Sequence, residues 1–330
     1  MTPPSPLNAR SVDGMWVVHC GEVIVGWNDT LEDLAWTIHC PGTAFCDQLL
    51  EVDGVVVVPN DGGSNGVSEL IAFAPATGAV AWRAELDFRP REQCAAVLGD
   101  AVFLYASGPG HGGRIVDVDA GSGTTRGATP IAEEVKWLAS AGDRLIVGGR
   151  GALNVGRPGE ATMSRHPSTN NRMLTQEGGQ LYFVSQESDD AAGFDVCWWD
   201  GPEAAERGRM RFPGKRPDTA IIPTGTPGIV AVEQSDGQGL TAVDLSSGER
   251  LWTALADRPW YVRSGVTTPH GLAVALEDDD MATRIALLDV RTGQELAAPT
   301  AEGGADLMWW FDDRLVVGSS LMVEAFAWQA

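Results

Sequence analysis

The sequence predicts an all-β fold: a closed β-propeller of eight four-stranded blades, with seven as the alternative number. Three observations predict it. Four segments repeat an apolar strand, a Thr/Ser-Gly turn and a second strand: Leu70–Trp82, Arg114–Gly127, Leu240–Trp252 and Arg284–Ala297. Their turn glycines keep step, Gly78 and Gly123 lying 45 residues apart and Gly248 and Gly293 likewise 45. Upstream of such units stand Val/Ile/Leu-rich hairpins bounded by Gly or Asp, which is the composition of central strands. Self-similarity at this period marks repeat architectures, in which each unit buries its apolar surface only against its neighbours.

In chain order the hairpins turn at Asp13–Gly14, Asp53–Gly54, Gly99–Asp100, Gly142–Asp143, Gly178–Gly179, Gly228, Gly271 and Asp313, a mean spacing of about 43 residues. Each is followed by strands that complete a blade A-B-C-D. The last repeat offers strand A at 305–311, B at 314–318 and C at 322–328, and no fourth. An unclosed ring would leave sheet edges exposed to aggregation, so residues near Leu7–Ser11 are expected to complete the last blade. The domain organisation follows: residues 1–9 form a flexible or ring-closing segment, and residues 10–330 form a single propeller domain.

The strand-turn-strand units have the form Ala-x-Asp-x-x-(Ser/Thr)-Gly-x-x-x-Trp. The best copy runs from Val243 through Asp244 and Gly248 to Trp252, and the second from Phe73 through Gly78 to Trp82. They resemble the repeat of pyrroloquinoline-quinone-like propeller proteins, clearly in four repeats and weakly over most of the remaining chain. The resemblance implies a fold, not a reaction. At the repeat position, Trp82 and Trp252 are expected to pack between blades. Quinone-dependent dehydrogenases of that superfamily are larger, with an adjacent cysteine pair and a calcium or lanthanide site. Cys20, Cys40, Cys46, Cys94 and Cys197 include no adjacent pair, so no quinone cofactor is expected. Other members that resemble the chain at this length include outer-membrane assembly scaffolds, which are secreted lipoproteins. Neither a signal peptide nor a lipobox is visible here.

Charge narrows the partners. The 330 residues carry a formal charge of -22, with Lys136 and Lys215 as the only lysines. Such a surface repels phosphate backbones and anionic lipid, which disfavours nucleic acid and membrane surfaces. A basic or neutral protein or peptide suits the field, as does a small molecule, and a monomer is expected. No apolar run approaches the 18 residues of a membrane span. The first ten residues lack a charged region followed by an apolar one, so cytoplasmic residence is expected. Five cysteines are an odd and sparse set for a disulfide framework.

In propeller blades the B–C and D–A connections share one face. Here the A–B and C–D turns are short and stereotyped, whereas the B–C connections at 60–69, 107–113, 186–195, 233–238 and 277–282 are long and individual. Variable loops on a rigid scaffold are where binding usually resides. Acidic residues outnumber basic ones in four of these five loops, so that face is expected to be the acidic one. Asp278, Asp279 and Asp280 are candidates for binding a partner, or a divalent cation in the absence of any other cofactor. His111 lies in a Gly-rich loop on the same face. Asp117, Asp119 and Gly121 resemble the start of a calcium loop, but the third oxygen ligand and the closing Glu are missing and the repeat accounts for them.

Two further clusters stand out. His19, Cys20, His39, Cys40 and Cys46 fall within 28 residues, and their expected strand ends share the loop face, which makes a zinc or thiol site conceivable although the spacing fits no zinc motif. Trp198 with Trp199, and Trp309 with Trp310, are neighbours on strands, so one of each pair faces the core and the other is displayed for an aromatic ligand or peptide anchor. No nucleophile-base pair, phosphate loop or dinucleotide fingerprint is present. The expected function is therefore a non-catalytic scaffold engaging a protein or peptide through the acidic loop face. The alternative is a lyase, cyclase or hydrolase, or a ligand-binding accessory protein, using the central channel. The apolar character of the innermost stretches at 137–141, 220–224 and 307–310 favours binding over chemistry.

Overall fold

The computed structural model describes residues 8–20, 23–28, 33–40, 48–62, 67–91, 93–107, 113–157, 163–177, 180–186, 193–200, 203, 205–213, 221–233, 239–256, 261–278, 283–297, 307–311, 314–318 and 323–327. Every regular element among them is a strand, and no helix is long and apolar enough to cross a membrane. The chain divides into two compact units, residues 1–172 and 173–330.

In the first unit, β1 (Asn8–Val12), β2 (Met15–Cys20), β3 (Val23–Trp27) and β4 (Leu34–His39) form an antiparallel meander. A second follows from β5 (Leu50–Val52), β6 (Val55–Asn60), β7 (Ser68–Phe73) and β8 (Val80–Leu86), and a third from β9 (Ala95–Leu98), β10 (Ala101–Ser107), β11 (Gly113–Asp119) and β12 (Thr125–Ile131). The fourth begins with β13 (Val135–Ala141), β14 (Arg144–Gly156) and β15 (Ser164–Glu177). It continues with β16 (Gln180–Gln186), β17 (Gly193–Asp200) and β18 (Ala205–Pro213) as one six-stranded sheet.

The second unit continues with β19 (Ile221–Pro223), β20 (Ile229–Glu233), β21 (Leu240–Asp244) and β22 (Glu249–Ala254), then β23 (Tyr261–Thr268), β24 (Gly271–Glu277), β25 (Thr283–Leu288) and β26 (Glu295–Ala297). The last sheet is β27 (Leu307–Phe311), β28 (Arg314–Gly318) and β29 (Val323–Ala327). The all-β propeller expected from the repeats is thus present, with seven sheets and not eight. The strands around Gly142 (β13 and β14) and those on either side of 178–179 (β15 and β16) are expected in separate blades, but they fall in one hydrogen-bonded sheet. Its strands β14 and β15, 13 and 14 residues long, continue where the repeat called for separate strands. A second expectation also changes. Asn8–Ser11 do not complete the last blade; they lie in β1, paired along its length with β2. Leu7 is outside the described residues.

Each sheet buries both faces, which is why its central strands read as unbroken apolar runs and do not alternate. Every residue of β24 is buried, from Gly271 to Glu277. In the first unit, Val17 and Ile24 of the first sheet meet Val56 and Phe73 of the second; Val57 and Leu70 of the second meet Val102 and Val116 of the third; and Phe103 and Tyr105 of the third meet Leu138 and Val147. In the second unit the same stacking places Val184 and Phe194 against Val230 and Val243, Ala231 and Trp252 against Val274 and Leu276, and Ala273 and Ile285 against Leu315 and Val317.

The repeat motif now has a physical account. The carbonyl of residue 74, 119, 244 or 289 accepts the N–H of Gly78, Gly123, Gly248 or Gly293 at 2.8 Å, closing one tight turn four times. All four glycines have positive φ. In three copies an Asp side chain caps the turn: Asp119, Asp244 and Asp289 accept from backbone N–H groups and from the hydroxyls of Ser122, Ser246 and Thr292. Those bonds hold all three carboxyls below the usual carboxylate range; for Asp119 the Arg126 guanidinium is the largest cause.

Trp82 and Trp252 pack between sheets, as the repeat position implies, and Trp36 joins them. Each indole N–H donates across to a carbonyl at the turn of the following sheet: Trp36 to Pro75 (2.7 Å), Trp82 to Ala120 (2.9 Å) and Trp252 to Val290 (2.7 Å). Each ring lies on that turn's glycine so closely that a Cβ at Gly78, Gly123 or Gly293 would stand 2.6–2.7 Å from it.

Three substitutions test these contacts. Trp82→Ala is expected to cost about 3–5 kcal/mol, and Trp82→Phe about 1–3 kcal/mol by stranding the Ala120 carbonyl. Gly123→Ala, which adds one carbon under the ring, is expected to destabilise despite its size; urea denaturation followed by circular dichroism measures all three. The turn aspartates give a pH dependence. A carboxyl with a depressed folded-state pKa stabilises the fold above its unfolded value of about 3.9, and that contribution disappears as pH falls through the folded value. Asp244→Ala should therefore lower the urea midpoint at pH 7 and have a smaller effect at about pH 3; an equal loss at both would contradict the assignment.

Candidate functional site

The His/Cys cluster is only partly described. Register pairs Val23 with both Cys20 and His39, which puts those two residues at one level of the first sheet, two strands apart. His19 and Cys40 are buried and His39 is exposed. Cys40 sits in the core with Ile24 and Ile38, where burial pushes its thiol up to about 11. Cys46 lies outside the described residues. Among the described residues no three His, Cys, Asp or Glu side chains gather as metal ligands.

The tryptophan pairs are built into the packing. Trp199 is buried, edge-on to Phe183, and its N–H reaches Glu206 at 3.3 Å. Trp198 is half-buried against the neighbouring core and donates to Gln180 at 2.6 Å. Trp309 and Trp310 are half-buried on β27; Trp310 packs on the core between the last two sheets and meets the His270 ring edge-on at 5.6 Å.

Of the loop residues, Asp278 is described and half-buried. His111, Asp279 and Asp280 lie outside the described residues, as do most of the B–C loops. The strand ends that carry those loops are visible in the second unit. Glu233 accepts the Val262 N–H at 3.0 Å, and burial raises its carboxyl pKa. Glu277 accepts the Arg263 guanidinium. Tyr261 pairs with Glu277 in register and leaves half its surface, 52%, in solvent. An exposed aromatic thus stands opposite a carboxylate at the strand end that leads into 278–282. Arginines elsewhere are largely engaged: Arg83 with Glu69, Arg114 with Asp87, Arg165 with Glu133, and Arg209 with Asp195 and Glu206. Pairing of this kind leaves the excess carboxylates to set the field.

A second site was not anticipated from the sequence. In six sheets the ladder between the last two strands slips by one residue at an equivalent place, a β-bulge on the outer strand. The pairs just before the slip are Gly26–Trp36, Ala72–Trp82, Asp117–Gly127, Trp198–Gly208, Ala242–Trp252 and Leu287–Ala297. Directly opposed residues share a face of the sheet. Five pairs set a bulky apolar side chain over Gly or Ala, and a Cβ at Gly26 would run into the Trp36 ring. Asp117–Gly127 alone has no bulky apolar member, and a Cβ at Gly127 would meet nothing within 4 Å.

A cavity of about 300 Å³ lies at this pair. Phe103, Ile115, Leu145 and Met163 give it apolar walls. Asp117 lines it with a buried Oδ1 that has no hydrogen-bond partner among the described residues, and desolvation raises the carboxyl pKa. Arg126, the bulged residue, lines it too, and is held by Asp100 at 2.7 Å and by Asp119. Arg157 is held by Asp143 at 2.7 Å. The sequence did carry a signal: Gly127 stands four residues after Gly123, where Trp82 and Trp252 stand after their own turn glycines. The opposing Asp117 could be found only from strand register.

The geometry defines an all-β propeller with indole-latched turns. Several solved structures are similar to the chain over most of its length. BamB from Moraxella catarrhalis is 17% identical with a TM-score of 0.69, covering 98% of this chain and 96% of that one. Apo AztD from Citrobacter koseri is 13% identical with a TM-score of 0.63, covering 91% and 87%. Quinohemoprotein alcohol dehydrogenase from Comamonas testosteroni is 13% identical with a TM-score of 0.62, covering 96% and 71%. At these identities the likeness is one of fold. No protein-family model matches the chain, and no curated protein does.

The thiols yield a prediction. Desolvation raises Cys40 to about 11 and Cys197 to about 12, and the thiolate is the reactive form. Both are expected to resist iodoacetamide at pH 8 in the folded protein and to react fully in urea, as read by peptide mass spectrometry. Rapid native labelling of Cys40 would contradict its placement.

Proposed function

We propose that the chain is a non-catalytic binding propeller that engages a basic or neutral protein or peptide through its acidic loop face. The observation that carries this reading is Tyr261, half exposed and paired in register with Glu277, where the acidic 278–282 segment begins. Tyrosine in such a setting offers a rigid amphipathic anchor, and surrounding carboxylates steer a cationic partner and fix its register. The charge of -22 supports the same direction of attraction. The carboxylates at the strand ends are occupied, Glu233 by a backbone N–H and Glu277 by Arg263.

The test is capture of partners from native lysate by the wild-type chain and by a Tyr261→Ala/Asp278→Asn variant, at two salt concentrations. The expected result is a partner retained by the wild type at low salt, weakened at higher salt and lost by the variant. The same partners at the same yield on both proteins would overturn the reading.

A further inference from the structure

We propose that the cavity at Asp117 and Gly127 is a binding site for a planar aromatic ring bearing an N–H donor, which occupies the place an indole of the chain itself fills in other sheets. The site belongs to the first unit and is independent of the loop-face reading.

Three observations converge on it. The first is shape. The bulge fixes an equivalent point in six sheets, and in three of them, at Trp36, Trp82 and Trp252, the space beyond the outer strand is filled by a ring lying on the next turn. At Gly127 the same backbone is kept and the ring is missing, which leaves about 300 Å³ between apolar walls. That volume lies at the lower end of ligand sites and suits a fused two-ring group. The second is chemistry. Where an indole docks in cis, the residue opposite is Gly26, Ala72 or Ala242, which asks nothing of it. Here the residue opposite is Asp117, whose Oδ1 is buried and unbonded among the described residues. A buried acceptor left unsatisfied costs about 1–3 kcal/mol, and a ligand that donates to it recovers that penalty. The third is neighbouring charge. Arg126 and Arg157 line the cavity but are engaged by Asp100, Asp119 and Asp143, so among the described charged residues of the lining Asp117 is the one with an unbonded buried atom. A neutral donor satisfies it without a further charge being buried.

One comparison discriminates the packing alternative. In the sixth sheet the outer-strand residue is also small, Ala297, but the opposing Leu287 is apolar and both join the core. Replacing a docked indole therefore does not require a carboxylate, and a merely relaxed repeat would be expected to fill the gap with an aliphatic side chain.

The test uses saturation-transfer NMR and titration calorimetry on the full chain with three probes: indole, naphthalene as its donor-free counterpart, and N-acetyl-tryptophanamide. Indole is expected to bind the wild type about tenfold more tightly than naphthalene, the value of one hydrogen bond to a buried charged acceptor. Asp117→Leu should erase that preference, and Gly127→Trp should abolish binding of every probe by filling the cavity in cis. If Gly127→Trp does not fold, Leu145→Phe fills the cavity from the opposite wall and serves instead, with thermal melting as the check on folding. N-acetyl-tryptophanamide binding as well as indole points to a polypeptide tryptophan as the natural occupant; indole alone points to a free small molecule. Absence of binding by both, or binding undiminished in a folded cavity-filled variant, overturns the proposal. Neither outcome bears on the loop face, whose test uses other residues and another partner.

Discussion

Sheets stacked face to face share no hydrogen-bond ladder, so apolar packing alone would let one slide over the next. The indole N–H groups of Trp36, Trp82 and Trp252 remove that freedom, because each binds a particular carbonyl on the adjoining sheet at 2.7–2.9 Å. Much of the local structure around them can be understood as making that bond possible. The turn must present its carbonyl outward, which the tight bond from residue 78, 123 or 293 back to residue 74, 119 or 289 achieves. The turn residue under the ring must have no side chain. The strand position opposite must be small, which Gly26, Ala72 and Ala242 are.

The bulge beside each of these pairs belongs to the same device. A two-versus-one mismatch turns the outer strand more steeply, and it changes which residues of that strand face the neighbouring sheet. Where the bulged residue is Arg126, the guanidinium closes onto Asp100 and Asp119, tying the first turn of the third sheet to its last. Asp119 therefore does more than shape its turn, because it also anchors an arginine that would otherwise oppose the protein's overall field.

Much of this could be read in the sequence, and the boundary is instructive. Trp82 and Trp252 were visible because a turn glycine precedes each by four residues. Trp36 escaped because Glu32 stands where that glycine would be. The propeller itself followed from apolar runs such as Val55–Val58 and Leu272–Leu276, since a strand buried on both faces has no polar side to show. The number of sheets did not follow, because hydrogen-bond continuity through β14 and β15 depends on backbone path and not on composition. Likewise Asp117 reads in sequence as part of a run, with Asp119 and Gly121, that the repeat accounts for; only the cross-strand register shows that it lies opposite Gly127. The loop face was legible as sequence but is described only at its strand ends, where Glu233 and Glu277 already have partners.

The pairing rule at the bulge also bears on how such a protein can change. Each pair works within its own sheet, and Trp198–Gly208 carries the bulky residue on the inner strand instead of the outer. Glycine and tryptophan codons can differ by a single base. A lineage of such chains could therefore open or seal a ligand-sized space in one mutational step while the remaining sheets keep the fold intact.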